Sequence, residues 1–280
     1  MSCPPGARSR ARAPVAQRRA TAGLADASVD RYSSVAFSSR YLDAEWTDLL
    51  FPGRLAGRLF ADQGFGPGRF YLEVAELTRD WAKATGCEVS RVCDVGGATG
   101  RMSLELTRRF PALADQVMVE PSGELCRWAR RLLLQAAFDG WIPLPGDCGQ
   151  PEYVRLDPDW MPEAVAVSIH RVTAARVPRP AGYFDLITCL NVADRVPNPA
   201  ALVRALRRLL RPSGLLVLAS AHHYEETFTP RERWVEDLGE LLDPAEWDVA
   251  DRIRDVGYGF LRYSRGGVWY SSQVAGAVRR

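Results

Sequence analysis

Lysine is almost missing from this chain: Lys83 is the only one, and nearly all of the positive charge is arginine. That bias belongs to composition and names no ligand by itself. With 36 Lys and Arg against 34 Asp and Glu the formal net charge is +2, too small to make nucleic acid or an acidic membrane the main partner. Six cysteines, Cys3, Cys87, Cys93, Cys126, Cys148 and Cys189, form no CxxC pair. Their scatter argues against a zinc site and a disulfide framework and fits a reducing, cytoplasmic setting. No apolar run approaches the roughly 18 residues that cross a bilayer, so no membrane partner is expected. Two of the 3 histidines, His222 and His223, are adjacent, a spacing that rarely serves one metal ion, and no metal is expected.

What is present is ordinary for a globular protein: 47% hydrophobic and 25% charged residues in a chain of 280, enough for one large domain or a core with an accessory cap. Residues 1–28 are rich in Arg, Ala, Pro and Ser, carry no acid before Asp26 and hold no apolar core of signal-peptide length. They read as a disordered tail; a transit peptide and an overlong start are the competing readings.

The middle of the chain alternates. SRVCDV (90–95) is a short apolar run leading through an acid into the glycine turn GGATG, after which Met102, Leu106 and Phe110 recur at helical spacing. QVMVE (116–120) ends in Glu120. It precedes a helix face of Leu125, Ala129, Leu132, Leu133 and Ala136, with Ser122 as its cap. Residues 139–163 are proline-rich and read as an inserted loop. AVAVSIHRV (164–172) and FDLITCLN (184–191) read as strands, and Asn198 with Pro199 opens a helix carrying Leu202, Leu206, Leu209 and Leu210. On that helix and just past it, Arg204, Arg207, Arg208 and Arg211 read as solvated charge. LLVLAS (215–220) is a fifth buried strand, and VWYSSQVAGAV (268–278) a further one near the end.

Strands alternating with helices predict an α/β fold with a Rossmann-like, doubly wound, mostly parallel sheet. Residues 29–89 read as a helical N-terminal cap, 90–221 as the core and 222–280 as a covering segment with the last strands. Ligands of such sheets bind beyond the carboxyl ends of the strands. That rule singles out Asp94, Glu120, Thr173, Asn191 and the residues after Ser220.

The glycine spacing decides against a dinucleotide. A GxGxxG turn starting at Gly96 would need glycine at 98 and 101, which are Ala98 and Arg101. An acid directly before the turn would repel a pyrophosphate but suits a ligand with an ammonium group. Glu120, at the end of the second strand, is placed to accept hydrogen bonds from two ribose hydroxyls. For both acids the competing reading is a strand-end cap or a surface charge.

In this respect the chain resembles the class I S-adenosylmethionine-dependent methyltransferases, through VCDVGGATG, VMVEPS and FDLITCLN, over about residues 90–221. The resemblance implies S-adenosylmethionine as cofactor, held by Asp94, Gly96, Gly97, Gly100, Glu120, Thr173 and Asn191. Ala98 stands at the middle glycine of the family pattern, and Thr173 where the pattern has an Asp for the adenine. Further stretches, GRMSLELTRRF, LNVADRVPNPAALVRAL and EETFTPRERWVEDL, with Tyr32, Tyr41 and FPGRLA (51–56), resemble the methyltransferase domain of ovothiol biosynthesis enzymes. A fainter likeness around LNVADR is to protein-histidine methyltransferases. The implied acceptor is a small molecule, a ring nitrogen of histidine or of a similar heteroaromatic. A larger natural-product scaffold, a peptide histidine and a catalytically silent cofactor binder are the alternatives.

For imidazole methylation, one nitrogen attacks while a carboxylate fixes the proton on the other. Asp194 is the candidate, with Asn191 and His223 beside it as further catalytic candidates. Asn191 competes with a plain turn residue, and Asp194 with Arg195 competes with a local salt bridge. Tyr32, Tyr41, Arg195, His222 and Tyr224 are the candidate acceptor contacts. Oligomeric state is not legible.

Overall fold

The computed structural model describes residues 32–53, 66, 68–134, 140–156 and 164–280. The tail assigned to 1–28, the first residues of the cap, part of FPGRLA and Ala136 lie outside the described residues.

Apolar runs flanked by turn residues form the central strands β1 (Arg91–Val95), β2 (Asp115–Val119), β6 (Phe184–Leu190) and β7 (Leu210–Ser220). With β5 (Ser168–His170) at one edge they lie in the order β5-β2-β1-β6-β7 and pair in parallel. β10 (Gly266–Arg279) then enters antiparallel between β7 and β8 (Trp247–Val249). The first part of β10 folds back on β9 (Arg254–Tyr263) as a long hairpin. The expected mostly parallel, Rossmann-like sheet is therefore present.

Strand alternation divides the core between two faces. Val92, Leu186, Leu215 and Val217 pack beneath α2 (Arg69–Ala84) and α3 (Arg101–Arg109), against Phe70, Val74, Met102 and Leu106. Cys93, Val95, Ile187, Cys189, Leu216 and Leu218 face the other way, onto Leu202, Leu206 and Leu209 of α5 (Pro199–Leu209). Each fully buried Leu or Val side chain contributes about 1.5–3 kcal/mol. The caps act as read: Asn198 accepts from Ala201 N at 2.9 Å to start α5, and Ser122 accepts from Leu125 N at 3.3 Å to start α4 (Gly123–Leu134).

Three expectations change. The stretch 139–163 is not simply a loop, because β3 (Trp141–Pro145) and β4 (Pro151–Arg155) pair as an antiparallel ribbon. Pro143 and Pro145 share one parity on β3, where the two-stranded ribbon leaves its outer edge unpaired, so their missing N–H groups cost no ladder bond. Ile142 and Leu144, of the other parity, are buried with Leu42 and Trp46 of α1 (Val35–Leu50) and with Leu132 and Leu133 of α4. Strand pairing in AVAVSIHRV is confined to Ser168–His170. Arg211 is not merely solvated, since with Arg91 it closes on the buried Asp185 carboxylate, at 2.7 and 3.0 Å.

From β1 the chain turns toward β2, and from β6 it turns toward β7. The carboxyl ends of β1 and β6 are thus the switch point of the sheet, where folds of this kind open a crevice for ligand between the two loops.

Candidate functional site

The glycine turn forms one wall of that crevice. Gly96 (φ +72°) and Gly97 donate to Val119 O at 2.8 and 3.3 Å, which seats the turn on the end of β2. A Cβ on Gly96 would stand 2.3 Å from Val192 Cγ2, and one on Gly97 would stand 2.7 Å from Met118 Cγ and 2.8 Å from Asp94 Oδ2. On Gly100 (φ +97°), the residue before α3, a Cβ would come within 2.5 Å of Leu133 Cδ1. The missing side chains thus let the turn settle onto the protein, and the backbone approach open to a ligand follows from that seating. Ala98 holds φ +46°, a left-handed conformation that an L-residue adopts at a cost of about 1–2 kcal/mol.

Glu120 directly follows β2 and accepts from Ala98 N at 3.3 Å and Ser122 N at 2.8 Å. Burial pushes its carboxyl up to about 7, although both backbone N–H bonds pull it down. Asp94 sits deeper and is 1% exposed, its oxygens accepting from Ser103 Oγ (2.8 Å) and Thr188 Oγ1 (2.9 Å). Burial raises Asp94 to about 6. It ties β1, α3 and β6 together beneath the turn and supplies negative potential there.

The N-terminal helix clamps this turn from above. Glu45, on α1 and wholly buried, accepts from Thr99 N at 3.2 Å, from the Thr99 hydroxyl and from Tyr71 Oη at 3.2 Å. Burial pushes Glu45 up to about 8. Trp46 Nε1 donates to Thr99 Oγ1 at 2.9 Å. Arg101, with no exposed surface, donates to both Asp48 oxygens at 2.6 and 2.8 Å, to Glu105 Oε1 at 2.8 Å and to Glu45 O. Sequence reasoning missed this network. The spacing of Glu45, Trp46 and Asp48 within one turn of an amphipathic helix was its only trace.

On the other side of the crevice lies a cavity of about 610 Å³. It brings together Asn191, Asp194, Arg195, His223, Tyr32 and Tyr41, six of the residues singled out from sequence. Asp194 is 1% exposed; its Oδ2 accepts from His223 N at 3.2 Å, while its Oδ1 has no hydrogen-bond partner among the described residues. Burial raises its carboxyl and the nearby Arg195 charge lowers it, with a net upward shift. Arg195 donates to Glu225 Oε1 at 3.0 Å and faces His223 Nδ1 at 2.9 Å. That nitrogen therefore accepts, which puts the neutral ring's proton on Nε2. Asn191 (φ +55°) follows β6, and its Oδ1 accepts from Ser272 Oγ at 3.1 Å. Burial raises the Tyr41 phenol, as do the neighbouring Tyr32 and Tyr258 and the Glu120 carboxylate, against the Arg195 charge.

Three candidates belong neither to the surroundings of the glycine turn nor to this cavity. His222 spans Val235 O and Gln273 Oε1, both at 3.0 Å, which makes it a tie between the chain after β7 and β10. Tyr224 stacks on Trp234 with ring centroids 5.6 Å apart. Their adjacency to His223 in sequence was misleading because the backbone turns sharply at His222 (φ +50°). Thr173 lies exposed past the end of β5, at the start of a short turn. Conversely Tyr258, Phe260 and Tyr270 supply walls that sequence reasoning did not name. The alternation in GYGFLRY was the available clue.

The residues around the turn fit S-adenosylmethionine. Glu120 offers carboxylate lone pairs beside an open backbone turn, and two buried carboxylates with raised values, Asp94 and Glu120, favour a cationic ligand. Among the described residues no group of three or more His, Cys, Asp or Glu side chains is placed to hold a metal ion, and no helix is long and apolar enough to cross a membrane.

Comparison with known proteins agrees with this geometry. The family model described as a methyltransferase domain matches residues 55–272. The chain is 31% identical over 184 residues to a ubiquinone biosynthesis O-methyltransferase of Ralstonia nicotianae, covering 65% of each chain. It is likewise 31% identical over 91 residues to the protein of the same name in Pseudomonas paraeruginosa, 32% of this chain and 39% of that one. The chain thus spans less than two thirds of the length of these curated relatives. Among solved structures, the magnesium protoporphyrin IX methyltransferase of Synechocystis PCC 6803, which has S-adenosylmethionine bound, superposes with a TM-score of 0.53 at 17% identity. That match covers 92% of this chain and 97% of the other, and it shows a shared fold.

Proposed function

The chain belongs to the S-adenosylmethionine-dependent methyltransferase family, and from that membership we propose that its acceptor is a small heteroaromatic, a ring nitrogen of histidine or of a histidine-like compound. The unpartnered Oδ1 of Asp194 carries this reading. A buried carboxylate oxygen without a donor costs several kcal/mol, a cost removed when a ligand N–H reaches it.

The cofactor supplies an electrophilic methyl group on a sulfonium. In the proposal Glu120 takes its ribose hydroxyls and Thr173 its adenine amine. The turn at Gly96, Gly97 and Gly100 takes the backbone-facing side, with Asp94 beneath the cationic end and Asn191 beside the methionine moiety. Asp194 holds the proton of the acceptor's far nitrogen, so the near nitrogen presents its lone pair to the methyl. As the N–C bond forms and the S–C bond breaks, positive charge grows on the ring, and the Asp194 carboxylate stabilises it and receives the proton. His223, whose Nε2 carries the proton, and Arg195 orient the acceptor. Tyr32 and Tyr41 face its ring.

The aromatic walls and the names of the relatives favour a second reading, methylation of an aromatic hydroxyl with Asp194 as general base. The ovothiol-type resemblance, on a thiol-bearing histidine, is the finest form of the first. The test is mass-spectrometric detection of a one-methyl gain on histidine, thiohistidines and imidazole peptides, run beside catechols. A methylated imidazole supports the first reading. Transfer confined to catechols replaces it with the second.

A further inference from the structure

The cavity walls are graded from floor to rim. Strand alternation on β9 puts Tyr258, Phe260 and Arg262 on one face, and these run from buried through half-buried to exposed. Helical spacing on α1 puts Phe37, Arg40 and Tyr41 on one face opposite them. Tyr41 and Phe260 meet edge to face, with centroids 5.1 Å apart, and close the two walls on each other. Asp194, 1% exposed, lies at the buried end of this gradient.

The charges along that gradient do not balance. The cavity holds three arginines, Arg40, Arg195 and Arg262, and two carboxylates, Asp194 and Glu225. Arg195 is engaged by Glu225 at 3.0 Å and lies 4.0 Å from Asp194. Arg40 and Arg262 are paired with no carboxylate among the described residues; Arg40 rests over the Phe37 ring, 5.8 Å from its centroid. Two uncompensated guanidinium groups at the mouth of an aromatic cleft attract an anion, and the planar fork of arginine matches a carboxylate.

We propose that Arg40 and Arg262 form an anion clamp at the cavity rim, so that the acceptor is a planar ring bearing a carboxylate, oriented with its reactive edge toward Asp194. The inference rests on the reading that this cavity takes the methyl acceptor. The aromatic faces of Tyr41 and Phe260 hold the ring between the two polar ends; with Arg195 already engaged by Glu225, the separation of Asp194 below from Arg40 and Arg262 above favours one orientation. Arg40 and Arg262 are specificity residues here and touch no reacting atom.

The test uses the full-length protein and two matched pairs of probes: imidazole-4-propionate against 4-propylimidazole, and 3,4-dihydroxybenzoate against 4-methylcatechol. Each is assayed for binding in the presence of S-adenosylhomocysteine and for transfer with S-adenosylmethionine. The wild-type protein is expected to bind at least one carboxylated probe about tenfold or more tighter than its neutral partner, expressed in KM rather than kcat. In Arg40→Gln/Arg262→Gln that ratio is expected to fall to about twofold, while the doubly substituted protein still binds S-adenosylhomocysteine, which reports that it is folded. Equal affinity for charged and neutral partners overturns the clamp, as does a preference that survives in the double variant or the absence of binding by either carboxylated probe. Carboxylate-dependent binding without transfer to any probe keeps the clamp and removes the acceptor reading. Transfer without carboxylate preference removes the clamp alone.

Discussion

The two walls of the crevice treat their polar groups in opposite ways. Around the glycine turn nearly every buried polar atom is answered from within the protein: Asp94 by Ser103 and Thr188, Glu120 by Ala98 and Ser122, Arg101 by Asp48 and Glu105. In the aromatic cavity Asp194 Oδ1 is unanswered, and Arg40 and Arg262 have no carboxylate, among the described residues. A site for one fixed cofactor can be built rigid, because satisfied networks hold a single geometry. A site that selects a partner gains discrimination by leaving groups for that partner to satisfy.

The largest effect expected from this contrast is at Asp194. Asp194→Asn keeps the shape and the bond to His223 N but removes the charge that stabilises a cationic ring. The variant should lose about 100-fold or more in kcat, with the dissociation constant for S-adenosylmethionine unchanged within about twofold. Steady-state kinetics beside calorimetric titration measures both. Loss of cofactor binding to the same degree would erase the distinction between the walls.

Arg101 gives the next effect, on the cradle side and on stability. Removing one member of a buried ionic network strands the others, so Arg101→Met should cost about 3–5 kcal/mol in denaturant unfolding. Asp48 is left without its guanidinium and Glu45 O loses its donor, while Glu105 gives up one of its three arginines and keeps Arg108 and Arg109. A cost below about 1 kcal/mol would mean that α1 is not clamped on the turn as the hydrogen bonds indicate.

The third expectation is a pH dependence with opposite signs for folding and for binding. Burial raises Asp94 to about 6, Glu120 to about 7 and Glu45 to about 8. Acids with raised values in the folded state contribute stability that is complete below their unfolded values and is lost as pH rises through 6 to 8. Thermal stability of the ligand-free protein should therefore decline across that window. A cationic cofactor favours the ionised acids, so its affinity should rise over the same window, about tenfold between pH 6 and 8 for a single group near 7 such as Glu120. Glu120→Gln should flatten the binding profile. A profile unchanged by that substitution would detach Glu120 from the cofactor.

The same contrast explains what could be read from sequence. The parallel strands, the caps at Ser122 and Asn198, and the acids at the strand ends are local patterns, and local patterns survive in one dimension. The aromatic cavity is assembled from α1, the loops after β6 and β7 and the β9–β10 hairpin, which are distant in the chain. Asp194 and Asn191 follow from motif and strand order, and Tyr41 from the family resemblance alone. Arg40, Tyr258, Phe260 and Arg262 follow from neither, since nothing local distinguishes a cavity wall from an ordinary amphipathic face. His222 and Tyr224 were misplaced because neighbours in sequence point to different sides of a left-handed turn. The β3–β4 ribbon was hidden by its prolines, which normally mark loops and here occupy an unpaired edge.

The smallest effect concerns Ala98, where the family pattern has glycine. Its left-handed backbone costs about 1 kcal/mol or somewhat more, which a glycine would relieve. The unfolded chain of Ala98→Gly would in turn gain conformational freedom worth about 0.4–1 kcal/mol, so the two contributions nearly cancel. Stability should change by less than about 1 kcal/mol, and cofactor affinity by no more than about twofold. The reason is structural: Ala98 N already donates to Glu120, and the turn is already fixed by Val119 O from below and by Glu45 and Trp46 through Thr99 from above. A tenfold gain in affinity from the glycine would show that the turn is held open in the ligand-free protein. The cradle would then no longer be the preformed wall of the pair.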